Sequence, residues 1–365
     1  MSKMKEYFEQ VKEPRCKGKC LHLLSDILLV GLLTYLSNGE DYEDMVLFAE
    51  NKGALFPELL IFPHGVPSHD TFNRVFQLID TQSLKDCLTA HGRDILDILS
   101  EKQIAIDGKK LKGVNPTSKG NSGLYIVNAW VSENRLCIGQ EKIEEKSNEI
   151  TAIPSVLKQI DLTDAVVSID AIGCQTAIAK QIKSQQGHYL LAVKGNQKRL
   201  FQEIEGAFEG IRTELTKEEW EYDHGRYERR VCSILAAKGN ISEETIQNWE
   251  GLEMIVKIES SRTIKEKTTK EIRYYISDEN IGNPLYFNKL VRGHWSIENH
   301  LHWHLDVTFK EHDCRARKGN APENLASLRK LALQIITQTK DKLSLKKRRV
   351  KAAFNPEYLK SLIKI

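Results

Sequence analysis

The chain has 365 residues, 41% of them apolar, which is enough to bury sizeable cores in two or three domains. Its 53 Lys and Arg against 50 Asp and Glu leave a formal net charge of +3, which excludes a binder held by overall charge; an anionic partner must be met by local basic clusters. Its 7 cysteines, an odd number without regular spacing, argue against a disulfide framework and suit a reducing cytoplasm.

Residues 1–100 read as all-α. The first residues, MSKMKEYFEQ, carry charge and no apolar stretch, so no signal peptide is expected. Arg15 to Lys19 form a first basic cluster. Cys16, Cys20 and His22 stand close together, but no second pair of ligands lies nearby and a zinc site is not expected. The run ILLVGLLTYL is too short to span a bilayer and follows Asp26, which predicts a buried helix and no membrane partner. Pro63, Gly65 and Pro67 mark a turn, after which Ser68 is placed to cap a helix through Thr71, Phe72, Val75, Phe76 and Ile79. Such a helix serves either as a recognition helix or as an ordinary bundle helix, and the pattern leaves both open.

From 101 to 197, IAID, LYIVNAWV and LCIGQEKI, the last two joined by a turn at SENR, read as three successive strands. The segment SNEITAIPSVLKQID has Ser147 or Asn148 as its cap and Ile150, Ile153, Val156, Leu157 and Ile160 as an apolar helical stripe. The strand AVVSID, a helix from about Cys174 to Lys183 and the strand HYLLAVKG follow. Three strands, helix, strand, helix, strand is the ribonuclease-H-like order, an α/β fold with a mixed sheet. Its first and fourth strands lie side by side, so Asp107 in the first and Asp170 at the end of the fourth can meet.

Residues 198–286 mix a helix, LFQEIEGAFEGI, with the strand-like MIVKIES and EIRYYIS, and read as an inserted α+β segment. Residues 287–340 return to the core with RGHWSIENHLHWHLDV, which carries Glu298, and the helix ENLASLRKLALQIITQ, opened by Pro322. The tail 341–365, with its LKKRR cluster, is expected to be loosely ordered. Between Trp295 and Phe309 apolar residues occupy odd positions, a strand-like alternation that would align His300, His302 and His304 as an imidazole metal site. Helical spacing also fits, with Ile297, Leu301 and Leu305 as one stripe.

Two Asp and one Glu from distant segments are the oxygen ligands that a pair of hard divalent cations needs in phosphodiester chemistry. The segments HWSIENHLHWHLDVTFKEHDCRARKGNAPENLASLRKLAL, SNEITAIP, VSIDAIGCQ and LLAVKGNQ carry a closer likeness, as do RCKGKCLHLLSDILLVGLLTYLSNG and VPSHDTFNRVFQLID. Over nearly the whole chain they resemble the H-repeat-associated, ISAs-type group of bacterial insertion-sequence transposases, a branch of the DDE superfamily. That resemblance implies a catalytic and metal-holding triad of Asp107, Asp170 and Glu298, working with two Mg2+ ions for which Mn2+ substitutes. It also implies double-stranded DNA as partner, both element ends and target, a homodimer in the DNA complex, and a place in the bacterial cytoplasm with nucleoid association when bound. It favours the helix over the strand around Glu298.

Phosphate contacts are expected from Lys109, Lys110, Lys194 and Asn196, which follow the first and fifth strands, and from Arg292 and His294 beside Glu298. Arg315, Arg317 and Lys318 of CRARKGN form the main basic cluster. The chain departs from the broader relatives' Tyr, Arg, Glu, Lys pattern, having Val291, His294 and Leu305 in the Tyr, Arg and Lys places. Only the Trp295 and Ile297 flanks survive, and His294, Arg292 or His302 is expected to stand in for the missing cation. The alternatives are a DNA-binding transposase remnant without turnover, and a ribonuclease-H-like nuclease that cuts but does not join.

Overall fold

The computed structural model describes residues 3–96, 102–114, 124–143, 149–209, 216–223 and 225–363. Its strands are β1 (Gln103–Leu111), β2 (Leu124–Val131), β3 (Leu136–Ile143), β4 (Val166–Ile169), β5 (His188–Val193), β6 (Thr216–Asp223), β7 (Arg226–Ala236), β8 (Met254–Ile264) and β9 (Lys267–Ser277). They form one nine-stranded sheet in the order β3-β2-β1-β4-β5-β9-β8-β7-β6. The pairs β1–β4 and β4–β5 are parallel and the others antiparallel, so β1 to β5 have the ribonuclease-H-like arrangement.

Central parallel strands must be covered on both faces, and every residue of β4 is buried. On one face Ile104, Ile106, Val167 and Ile169 pack against Ile153, Val156 and Leu157 of helix Glu149–Leu157 and Ile178 and Ile182 of helix Thr176–Ser184. On the other, Val166 and Leu190 meet Phe287, Leu290 and Val291 of helix Pro284–His294. The caps expected at Ser147 or Asn148 lie outside the described residues.

The segment before the glutamate helix differs from its sequence reading. It holds helix Lys198–Ala207 and four long strands where only two were legible, and β9 pairs directly with β5, Leu190 to Ser277 through Val193 to Tyr274. The segment therefore prolongs the central sheet. TKEEWEYD and RYERRVCSILA carry charged residues at successive positions, so neither shows the one-sided alternation that marks a half-buried strand.

In the N-terminal helical region, Ser68 caps helix His69–Leu78 by accepting from the Thr71 amide at 3.3 Å. The buried face of that helix, Phe72, Val75 and Phe76, joins the bundle core, and Asn324 donates to the carbonyls of Phe76 and Ile79. Asn324 belongs to helix Ala321–Thr337, which is buried along nearly all its length and shares one core with helix Leu24–Leu36 and with Ala105 and Trp130 of the sheet. Among the described residues no helix is long and apolar enough to cross a membrane.

The C-terminal residues correct the expectation of a loose tail. They form helices Leu345–Phe354 and Pro356–Leu362, and Arg349, 1% exposed, donates to the carbonyls of Tyr35 at 2.7 Å, Gly39 at 3.0 Å and Thr308. Burial pulls its pKa down to about 10, so it remains a cation at neutral pH. A basic cluster looks like a solvated face in sequence, but unpaired carbonyls at the ends of other segments recruit it. Replacing Arg349 by Met should leave three carbonyls without their donor and lower unfolding free energy in urea by about 3 kcal/mol; a wild-type midpoint would show that the helix is held by packing alone.

Candidate active site

The register between β1 and β4, Gln103 to Val166 through Ile106 to Ile169, brings the next residues, Asp107 and Asp170, out at the same end of the sheet. Asp170 ends β4 and caps the turn behind it, accepting from the amides of Ile172 at 3.1 Å and Gly173 at 3.4 Å. Asn196, after β5, donates to the Ala171 carbonyl at 2.6 Å and braces that turn.

The Glu298 segment, Ile297–His302 continued by His304–Thr308, is helical with wide turns in which amides reach back five residues. Ile297, Leu301, Leu305 and Phe309 are buried while Trp295, Trp303 and Val307 are exposed, so the odd positions divide by fours and the alternation is that of a helix. The three histidines do not converge, which overturns the imidazole metal site. His302 turns inward, its Nδ1 3.5 Å from Asp107 Oδ2, whereas His304 Nδ1 lies 3.0 Å from Thr308 Oγ1, and both His300 and His304 sense Arg135.

Four carboxylates meet here. Burial and the charges of Asp170, Glu149 and Glu298 push Asp107 up to about 8, and burial and Asp170 raise Glu149. Glu149, at the start of its helix, was missed in the sequence. A Cβ on Gly108 would lie 2.4 Å from Glu149 Oε1, so the glycine after Asp107 makes room for the fourth carboxylate. An acidic residue opening the first helix after the third strand, with glycine beside the first aspartate, was the available signal. Among the described residues no group of three or more His, Cys, Asp and Glu side chains is gathered tightly enough to hold an ion as it stands. The donor set, all carboxylate oxygen, suits a hard divalent cation.

The other expected site residues fall in three groups. Lys109 is a correction: it is 6% exposed and clamped between Asp306 and Glu311, so it does not face a phosphate. Burial would raise the Glu311 carboxyl, but Lys109, Arg329 and Lys330 hold it below its ordinary value. Lys110 lies over the Tyr125 ring at 5.3 Å, and Lys194 and Asn196 are exposed. His294 contacts Ser168 Oγ at 3.1 Å and burial lowers it to about 4, while burial and Lys109 lower His302 to about 3. Neither histidine is therefore a cation at neutral pH, and neither supplies the missing charge. Arg292 is exposed and pairs with Glu221 of β6 at 2.8 Å. Arg315, Arg317 and Lys318 are exposed at the rim of a cavity of about 520 Å3 floored by Tyr35, Tyr42 and Met45. Their segment is seated on the residue stretch after β1, where a Cβ on Gly113 would lie 2.2 Å from the His312 carbonyl oxygen.

Comparison with known proteins gives the family. The family described as "Transposase DDE domain" matches residues 99–335, and its companion, "DDE_Tnp_1-associated", matches residues 5–91. The "H repeat-associated putative transposase YhhI" of Escherichia coli (strain K12) is 35% identical over 100% of this chain and 98% of its own length. An "Uncharacterized protein in dhlA 3'region" of Xanthobacter autotrophicus is 37% identical over 75% of this chain and 93% of its own. A piggyBac transposase synaptic complex with hairpin DNA aligns at a TM-score of 0.46 and 11% identity, over 100% of this chain and 77% of that one, too distant to carry an argument. The sheet order and the two family matches define a ribonuclease-H-like protein of the transposase class. The chain belongs to the DDE transposase family.

A carboxyl raised from 3.8 to about 8 keeps its proton in the folded state. Its contribution to stability is therefore complete below about pH 4 and is lost as pH rises toward 8. In buffer free of divalent cations the melting temperature should fall across that window, and Mn2+ affinity by titration calorimetry should climb by up to about tenfold per pH unit. Glu149→Gln removes one repelling charge and should lower the Asp107 pKa, ending the fall at lower pH. An unchanged profile in that variant would place Glu149 outside the cluster.

Proposed function

We propose that the chain is an insertion-sequence transposase that cuts DNA at the element ends and joins the freed 3'-hydroxyl to target DNA. The observation that supports this reading is the convergence of Asp107, Asp170 and Glu298 from β1, the end of β4 and the wide-turned helix. In this reading those three acids would hold two Mg2+ ions, for which Mn2+ would substitute. When bound, the ions supply Lewis-acid stabilisation of the attacking and leaving oxygens and lower the pKa of the attacking water.

The chain's own groups prepare that chemistry. Asp107 gives up the proton that its buried, anionic surroundings let it keep, and the two amides on Asp170 hold that carboxylate in one orientation. His302, kept neutral by burial, sits against Asp107 without competing for its charge. Lys109 serves by fastening the glutamate helix to β1. Lys110, Lys194, Arg315, Arg317 and Lys318 position the phosphate backbone, which carries no base code, and sequence reading falls to other surfaces such as the N-terminal helices. Residues 101–197 and 287–340 then form the catalytic core, 1–100 an end-binding unit, and the protein acts as a homodimer on double-stranded DNA in the bacterial cytoplasm.

Asp107→Ala, Asp170→Ala and Glu298→Ala should each abolish cleavage of labelled element ends in Mg2+ while leaving end binding in place. A loss of roughly 4 kcal/mol in transition-state stabilisation is about a thousandfold in rate. Sequencing of products made with a supercoiled target decides the rest: junctions support strand transfer, cut ends without junctions indicate a nuclease, and intact DNA with wild-type protein indicates a remnant. Near-normal cleavage by any one variant removes that residue from the triad.

Replacing Lys109 by Ala leaves Glu311 and Asp306 without their cation. Breaking a buried pair in this way costs about 3–5 kcal/mol. Chemical denaturation should show that loss, and Mn2+ affinity should fall with it because Glu298 is no longer held over β1. A stable variant with normal Mn2+ affinity would assign the glutamate helix's position to apolar packing.

A further inference from the structure

Strands β6 to β9 carry an arginine-rich face turned toward the glutamate helix. Alternate positions place Arg226 and Arg230 of β7, Arg262 of β8 and Arg273 of β9 on it, and Arg292 faces them from helix Pro284–His294. These residues line a cleft of about 920 Å3, and Glu298, Asn299 and Trp295 line the same cleft. The lining holds seven cations, these five arginines with Arg229 and Lys270, against four glutamates, Glu221, Glu228, Glu271 and Glu298; Arg229 is bound to Glu218 outside the cleft, so a surplus of two cations remains on the walls. Glu228 is shared three ways, by Arg230 at 2.7 Å, Arg226 at 3.0 Å and Arg262 at 3.3 Å. The Arg226 Nε lies out of line with that carboxylate and is buried without a hydrogen-bond partner among the described residues. Arg273 stacks on the exposed Trp295 ring at 4.5 Å, three residues before Glu298 in the chain.

We propose that this cleft is the track for one DNA strand beside the scissile phosphate, gripped through its phosphodiester backbone. The inference rests on the transposase reading and adds a surface to it. Guanidinium forks match phosphate oxygens in pairs, and here three of them share the single Glu228 carboxylate while the Arg226 Nε keeps an unfilled donor. The Arg273–Trp295 stack offers a planar surface to an unpaired base. Because Glu298 itself lines the cleft, a strand lying there leads directly to the acidic cluster.

The test uses the full chain and labelled DNA, duplex and single-stranded, of two unrelated sequences, with affinity measured by anisotropy across a salt series. The triple variant Arg226→Gln, Arg230→Gln, Arg262→Gln should bind about tenfold more weakly on both sequences. Its log affinity against log salt should flatten by roughly 0.9 per lost duplex contact, or 0.7 on a single strand. Glu228→Gln, which releases the same three arginines, should bind more tightly and steepen the slope. Retained Mn2+ binding shows that the triple variant is folded; should it fail to fold, Glu228→Gln decides alone. A folded triple variant with unchanged slope, or a Glu228→Gln protein that binds no better, overturns the inference. Wild-type protein that binds no DNA sinks the transposase reading itself, so the two failures are distinct.

Discussion

The geometry of the site hangs on one buried cation. Lys109 lies two residues beyond Asp107 on the same face of β1, and Asp306 and Glu311, from the chain that follows Glu298, close on it from the other side. The bridge spans about 200 residues of sequence and anchors the helix that carries Glu298, the member of the proposed triad that no strand carries. Strand pairing alone places Asp107 and Asp170; Glu298 depends on this contact and on the apolar stripe of Ile297, Leu301 and Leu305 pressed into the bundle core.

Two electrostatic environments therefore adjoin. Around Lys109 the charges alternate, with Glu311 drawn below its ordinary pKa by three cations against the effect of burial. Around Asp107 they repeat, and the sheet and its two flanking helices hold carboxylates together against their repulsion. Packing that would be wasteful in a purely structural region is what the proposed ion site would require, since the fold would meet the cost of assembling the ligands before a cation arrives.

Much of this was legible in the chain. The order of apolar runs sets out the five-strand core because buried parallel strands have to be continuous and short, and Ser68 and Pro322 mark helix starts through backbone groups that any helix must satisfy. What escaped reading was relational. Lys109 looks like a phosphate ligand until Asp306 and Glu311 are folded over it, and Arg349 looks solvated until three distant carbonyls are found at its tip. Glu149 is one acid among several in EKIEEKSNEI, and only its position over Gly108 distinguishes it. The alternation of Trp295 to Phe309 misleads because exposed tryptophans fill the same parity as the core residues; burial, absent from the string of letters, separates them.

The hydrogen-bonded seam between β5 and β9 gives the added strands a mechanical meaning. An arm joined by a loop swings freely, but four strands continued from a central strand share its twist, so a force on their face becomes a shear along β5. The turn after β5 holds Asn196, and Asn196 grips the carbonyl next to Asp170. Strain applied far out on the sheet thus has a rigid route to the orientation of one carboxylate, and the stiffness of a β-ladder stands where a hinge would otherwise be.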